Sequence, residues 1–252
     1  MPTARAKVPI LEVGAEGEEG YFALIESEVV ARFIAREWAE RGTQLIPPSP
    51  ADEALMNLFV AVFMEEVSGL SFSFLGAKSD EAVAKGYEKL LGGLQSVENC
   101  LNVHGNEEGG SFFFGGQYTL AEALTAPFVI RMSANFPVHR GVDIIENCER
   151  AGFDRCARWI QAVLARESSI ASTPAHNSLV MLAPYMQPFF EGTVSEEAQT
   201  AAFEKLEQSA ADAEAAWEAQ LAEGNAITAE AHKARGNKVH DSIARSAAKA
   251  KL

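Results

Sequence analysis

Short apolar runs alternate with polar stretches over the first 41 residues. Lys7–Val13 and Tyr21–Ile25 are two such runs, and the Gly- and Glu-rich stretch 14–20 separates them. Two apolar runs joined by a glycine-containing turn predict a β-hairpin. From Ser27 onward, apolar residues recur at helical spacing as far as Trp38. The pattern therefore predicts a hairpin followed by a helix, with Ser27 as the N-cap of that helix.

Helical periodicity continues through most of the chain beyond residue 50. A proline-rich stretch at 47–50 interrupts regular structure, so residues 42–50 are the predicted linker between two units. Long helices are predicted at Asp52–Leu75, Ser79–Val103 and Phe153–Ala165. The apolar face of the first of them is expected to comprise Leu55, Leu58, Phe59, Val62 and Phe63.

The sequence Thr119-Leu120-Ala121-Glu122 predicts the start of a buried helix. The Thr119 hydroxyl can accept a hydrogen bond from the Glu122 N–H, while the Glu122 carboxylate accepts one from the Thr119 N–H. After Glu122, Arg131 is the only charged residue as far as Met132, so this helix is expected to be largely buried. Together with its neighbours it predicts a helical bundle over residues 51–192.

A charged helix and a basic tail are predicted after Gly192. From Ala226 onward the chain has six basic and two acidic side chains, a charge of +4, whereas the rest carries −18. Such a tail is expected to bind an acidic protein or to touch an anionic membrane surface peripherally, and a disordered solubilising tail is the alternative. The charged helix has a narrow apolar stripe typical of docking on another helix, made of Phe203, Leu206, Ala210, Ala213, Trp217 and Leu221.

Composition narrows the classes of function. The chain has 252 residues, 48% of them hydrophobic, which is enough to bury a sizeable core. A net charge of −14 argues against nucleic acid as a partner. No uninterrupted apolar run reaches the ~20 residues that span a bilayer, and the start does not resemble a secretory signal. We therefore expect a protein of the cytoplasm or of an organelle stroma or matrix, without a membrane span and not secreted.

Thiols and imidazoles suggest no reactive or metal site. Cys100, Cys148 and Cys156 fall in apolar helical patterns and are expected to be reduced core thiols. The five histidines lack the spacing of metal ligands, so no metal is expected.

The order of motifs is similar to that of cytosolic glutathione transferases of the omega-like kind. That family has K-V-P-x-L, a hairpin turn, E-S opening a helix, a linker and a central buried helix. The matching residues here are Lys7–Leu11, Glu26-Ser27, and Phe113–Gly116 before Thr119. The resemblance covers Lys7 to Ser172 and implies a mainly α fold. It would consist of a truncated thioredoxin-like β-hairpin and helix (1–41), a linker (42–50), an all-α transferase C-terminal bundle (51–192) and a helical tail (193–252).

The resemblance also implies a glutathione half-site. The Val8 backbone, exposed by a cis bond before Pro9, would pair with the cysteinyl part of glutathione. Ser27 and the helix N-terminal amides would hold the γ-glutamyl carboxylate, and Glu26 would accept from the ligand's amino group. Without the resemblance, Pro9 marks the start of a strand, Ser27 a helix cap and Glu26 a turn carboxylate.

The catalytic part of the family pattern has no counterpart in this sequence. The family places its thiol-activating Cys, Ser or Tyr well before the K-V-P motif, whereas six residues precede Lys7 here. No catalytic residue is assigned, and we expect a glutathione or conjugate binder that is an enzyme only if a preceding segment supplies that residue. The alternative is an interaction subunit that helps to assemble a multi-protein complex. A protein partner or a homodimer is expected in either case.

Overall fold

The computed structural model describes residues 9–173, which fold into a small hairpin and a helical bundle. This confirms the expected mainly α fold. Val8 and the predicted extension and tail (193–252) lie outside the described residues. The elements are β1 (Ile10–Val13), β2 (Phe22–Ile25), α1 (Ser27–Glu37), a 3-10 turn (Ala39–Arg41), α2 (Pro50–Phe63), a π-helical turn (Met64–Ser68), α3 (Gly69–Gly76), α4 (Asp80–His104), α5 (Leu120–Arg140), α6 (Ile144–Arg150), α7 (Asp154–Ala165) and α8 (Glu167–Ser172).

The predicted hairpin and first helix are present. β1 and β2 pair in antiparallel fashion, with Ile10 opposite Ile25. The predicted role of Ser27 as N-cap is wrong, because Glu26 occupies that position and Ser27 is the first helical residue. The reason is that the backbone of Glu26, at φ 70° and ψ 117°, turns the chain from β2 directly into α1.

One continuous helix of 27 residues joins α2, the π-helical turn and α3. Its buried side contains Met56, Phe59 and Phe63, all at 0% exposure. Leu58, which was predicted to be buried, is 42% exposed, because it lies about 200° around the helix from Met56. The predicted burial of Phe59 and Phe63 is confirmed, and Met56 and Val60 complete the buried side.

The same helix, Pro50–Gly76, is long and apolar enough by composition to cross a membrane. The helix is longer than the uninterrupted apolar run in the sequence, which ends before Glu65 and Glu66. Both glutamates lie in the π-helical turn, and the helix continues beyond them. The buried apolar side chains of this helix, among them Met56, Phe59 and Phe63, pack in the core with those of α4 and α5. Packing of this kind is typical of a core helix in a bundle.

Close packing of α4 on the π-helical turn depends on a glycine. A Cβ atom added at Gly93 of α4 would lie 1.9 Å from the Glu66 carbonyl oxygen. The backbones of the two helices therefore meet in direct contact at this point. Helix α4 itself begins as predicted, because the Ser79 hydroxyl accepts from the Ala82 N–H at 3.2 Å.

Helix α5 forms the centre of the bundle, as predicted. Both hydrogen bonds of its capping box are present, and Thr119 and Glu122 are fully buried. The helix continues past Met132 to Arg140, and Gly141 ends it in the left-handed conformation at φ 65°. The core beside it is aromatic, with Trp159 in edge contact with Phe59 at 5.2 Å between ring centroids.

Two short helices, α6 and α8, are absent from the sequence predictions. The Asp143 carboxylate caps α6 by accepting from the N–H groups of Ile145 at 2.9 Å and Glu146 at 3.1 Å. An aspartate just after a glycine stop is the signal that marks this start. Helix α8 has six residues, too few for an apolar period to be recognised.

Candidate functional site

Three of the four residues implied in glutathione binding meet at one end of the hairpin. Pro9 immediately precedes β1, Glu26 immediately follows β2, and Ser27 opens α1. Because the two strands pair in antiparallel register up to this end, Pro9 and Glu26 stand opposite each other. All three residues are exposed to solvent. The fourth, Val8, lies outside the described residues.

Glu26 holds an unusual backbone conformation. Among the described residues it is the one non-glycine with positive φ. Such a conformation costs on the order of 1–3 kcal/mol for a residue with a side chain and is concentrated at functional sites. The exposed Glu26 side chain caps no helix, so local hydrogen bonding does not explain the strain.

The N-terminus of α1 is open towards this end of the hairpin. No side chain caps the helix, and the first turn is closed by the backbone bond from the Val30 N–H to the Glu26 carbonyl at 3.0 Å. Uncapped N–H groups and the helix dipole favour an anion at such a position. Glu28 in the same turn is paired with Arg32 at 2.7 Å, which draws its carboxylate towards the middle of the helix.

A buried carboxylate joins α5 to α7. Glu122 Oε1 accepts from the Phe113 N–H at 2.7 Å and from the Trp159 indole at 3.2 Å, and Oε2 accepts from the Thr119 N–H at 3.0 Å. Burial raises the pKa of Glu122, and the hydrogen bonds from the Phe113 and Thr119 amides oppose that rise. The group holds the scaffold together and lies away from solvent.

Two further buried charged residues, Arg155 and Glu98, anchor the start of α7. Arg155, 2% exposed, donates to the carbonyls of Ser111 at 2.6 Å and Asn106 at 2.7 Å, so it fixes the glycine-rich loop before α5. Burial lowers the pKa of Arg155. Glu98 of α4 accepts from the Cys156 N–H at 2.6 Å, so a neighbouring helix caps α7. These contacts are structural.

The predicted core thiols are confirmed. Cys100, Cys148 and Cys156 are buried and free. Contact with Cys148, together with burial, raises the pKa of the Cys156 thiol, and burial raises that of Cys100. Thiols with raised pKa values are weak nucleophiles at neutral pH. Within residues 9–173, no group of three or more His, Cys, Asp and Glu side chains is arranged to hold a metal ion.

A groove of about 530 Å³ runs between α1 and α5 and reaches α8. We call it the α1–α5 groove. Large apolar side chains on its walls include Ile34, Trp38 and Ile130. The groove could not be predicted from the sequence, because its residues come from distant segments of the chain. It is lined by Ile34, Ala35, Trp38, Arg41, Gly42, Thr43, Leu45, Tyr118, Ala123, Ala126, Pro127, Ile130, Arg166, Ser168, Ser169 and Ser172.

Part of the helical bundle matches a known domain family. Residues 80–162 match the family described as glutathione S-transferase, C-terminal domain. A glutathione S-transferase from Hyoscyamus muticus is 30% identical over 120 residues, which make up 44% of this chain and 54% of that protein. The chain thus spans about half the length of the curated relative it matches.

Solved structures share the fold. Glutathione transferase Omega 2C from Trametes versicolor is 20% identical with a TM-score of 0.54, over 72% of this chain and 77% of that one. Omega 2S from the same organism, in complex with 2,4-dihydroxybenzophenone, is 23% identical with a TM-score of 0.51, over 71% and 77%. At such identities the likeness concerns the fold alone. Residues 80–162 thus carry a glutathione S-transferase C-terminal domain, and the described region shares the fold of omega glutathione transferases.

Proposed function

We propose that this chain binds glutathione or a glutathione conjugate where the hairpin meets α1. Ser27 and the first amides of α1 hold the γ-glutamyl carboxylate, and Glu26 accepts from the ligand's amino group. Val8 and Pro9 lie beside the cysteinyl part. The strained, exposed backbone of Glu26 at an uncapped helix start supports this proposal most strongly.

The charges at this end match an amino-acid head group. A helix N-terminus favours a carboxylate, and a glutamate side chain one residue earlier favours an ammonium group. The two features are adjacent along the chain at Glu26 and Ser27. We assign no catalytic residue among those described, so the proposal concerns binding.

Calorimetric titration of the whole chain with glutathione tests the half-site. Ser27→Ala is expected to weaken binding by about tenfold to 100-fold, because a hydrogen bond to a charged group contributes about 1.5–3 kcal/mol. Ser79→Ala is the matched control, since Ser79 also stands at a helix start but in the bundle. It is expected to lower stability slightly and to leave affinity unchanged.

Equal affinity of the wild type and Ser27→Ala would rule out this placement of the ligand. Replacing Cys100 with Ser is expected to leave affinity unchanged, because this cysteine is buried in α4. A binding site that depended on Cys100 would lie elsewhere in the protein.

An interaction subunit is the second candidate function. Five apolar side chains of the hairpin and α1 are substantially exposed, namely Ile10 at 57%, Phe22 at 40%, Ile25 at 39%, Val29 at 47% and Ile34 at 42%. Several exposed apolar side chains on one small unit favour association with another protein surface. In this role the chain would act through the hairpin unit, as a homodimer or with a protein partner.

Sedimentation velocity over a range of concentrations tests self-association. Val29→Asp is expected to lower the fraction of dimer, whereas Val103→Asp, at an exposed position near the end of α4, is not. A chain that stays monomeric at all concentrations would remove the homodimer from consideration.

A further inference from the structure

The α1–α5 groove has an apolar floor with no covering element among the described residues that line it. Ile34 and Trp38 on the α1 side are 42% and 40% exposed. The α5 side presents Ala126, Pro127 and Ile130. Two alanines on the α5 side, Ala123 and Ala126, allow the close approach of a helix.

The groove differs in charge from the rest of the chain. The whole chain carries −14, yet the charged side chains that line the groove are Arg41 and Arg166. Arg166 is held in place, since its guanidinium lies 3.6 Å from the centroid of the Tyr118 ring and donates to the Ser168 hydroxyl at 2.8 Å. An occupant with an apolar face and acidic flanks therefore suits the groove.

The chain leaves the described region at the wall of this groove. Ser168, Ser169 and Ser172 of α8 line it, and the description ends at Thr173. Residues 174–195 lie between this point and the predicted amphipathic segment. An extended stretch of that length reaches up to roughly 70 Å, so the connection does not restrict docking.

Residues 196–223 have the composition that the groove requires. They contain eight acidic side chains and one lysine. Their apolar stripe has Phe203 and Leu206 at one end and Trp217 and Leu221 at the other, with small alanines between them. Small residues at the centre allow close contact with the alanines of α5, and the flanking carboxylates can reach the two arginines.

We propose that residues 196–223 of this chain dock as an amphipathic helix in the α1–α5 groove. The alanine-rich centre of the stripe packs on α5 near Ala126, and Trp217 or Phe203 packs beside Trp38. The acidic flanks pair with Arg41 and Arg166. Because the segment is tethered, its effective concentration at the groove is high and it occupies the site ahead of partners in solution. This inference does not depend on glutathione binding.

Hydrogen exchange on the full-length chain tests the docking. Leu206→Asp combined with Trp217→Asp is expected to speed amide exchange at least tenfold in peptides covering 34–41 and 166–172. The matched control, Val239→Asp with Ile243→Asp, alters apolar residues of the basic tail outside the stripe and is expected to leave both peptides unchanged. Equal exchange in the wild type and the stripe variant would overturn the proposal.

Disulfide trapping in the full-length chain gives a second measurement that does not disturb the stripe. Ala126→Cys with Ala213→Cys is expected to form an intramolecular disulfide on mild oxidation, because the native thiols are buried. Adding Arg166→Glu is expected to slow trapping several-fold, whereas Arg150→Glu, on the far helix α6, is not. Formation of covalent dimers in place of the internal bond would show that a second copy fills the groove, and absence of any bond would reject the docked segment.

Discussion

At the scale of a single residue, the strained backbone of Glu26 is expected to affect the free energy of unfolding and glutathione binding in opposite directions. We expect Glu26→Gly to leave the free energy of unfolding unchanged or to raise it by up to about 1 kcal/mol, because glycine adopts positive φ without steric cost. The same change is expected to weaken glutathione binding through the lost carboxylate. Chemical denaturation and calorimetric titration measure the two effects separately.

Glu28→Gly is the control for this substitution. Glu28 lies in the first turn of α1 and pairs with Arg32, so glycine there is expected to cost about 1 kcal/mol. If both glycine variants lost stability equally, the backbone of Glu26 would not be strained.

The buried carboxyl of Glu122 makes stability depend on pH. Its pKa is raised in the folded state, so between about pH 4.3, the ordinary value of glutamate, and the raised value the folded protein binds more protons than the unfolded one. The free energy of unfolding therefore falls as pH rises through this window. The loss levels off above the raised pKa.

Glu122→Gln removes this titration. Both carboxylate oxygens of Glu122 accept hydrogen bonds, from the Thr119 N–H on one side and from the Phe113 N–H and Trp159 indole on the other. The NH2 group of glutamine cannot accept, so one side loses its acceptor, and the variant is expected to be less stable by about 1–3 kcal/mol. The stability advantage of the wild type over Glu122→Gln is expected to shrink as pH rises, as measured by urea denaturation at several pH values. A constant difference would contradict the raised pKa.

At the scale of elements, the contact between α4 and the π-helical turn depends on one of two adjacent glycines. Gly93→Ala is expected to destabilise the protein by about 1–3 kcal/mol or more, because the added methyl group would lie 1.9 Å from the Glu66 carbonyl oxygen. Gly92→Ala meets no atom within 4 Å and is expected to stabilise α4 by up to about 1 kcal/mol. Denaturant midpoints of the two variants should move in opposite directions, and a shared direction would refute this packing.

At the scale of the whole molecule, the basic tail is expected to contribute little to folding. Its large apolar residues are Ile227, Val239 and Ile243, too few to offset the entropy of ordering the segment. Removing Ala226–Leu252 should leave Tm within about 2 °C of the full chain, as measured by calorimetry, while recovery of a complex held by the tail is lost. The tail lies outside the described residues, and its proposed partners are an acidic protein or an anionic membrane surface.

A large drop in Tm on removal of 226–252 would show that the tail packs on the body. If the same partners bound with and without the tail, the tail would have no role in binding.

Two further expectations stay predictions. They are the unit boundaries at 41, 50 and 192, and a location in the cytoplasm or in an organelle stroma or matrix.

Local signals in the sequence determined the hairpin, the longer helices and the start of α5. The capping box at Thr119 and Glu122 and the serine cap at Ser79 each involve residues within one helical turn, so their pattern is visible without the fold. The ordered motifs also indicated the mainly α architecture and the likeness to glutathione S-transferases, which the C-terminal domain match over residues 80–162 supports. Leu58 of α2 was predicted to be buried but is exposed, whereas Met56 is buried. Helical periodicity alone does not say which of two adjacent apolar faces meets the core.

Tertiary structure alone decided the features that join distant segments. The positive φ of Glu26, where β2 passes directly into α1, moved the helix start by one residue. The close contact at Gly93 and the α1–α5 groove bring together residues that are far apart in the chain. Local composition carries no information on such contacts, since they depend on how the helices pack, and packing determines which apolar and charged side chains share one surface.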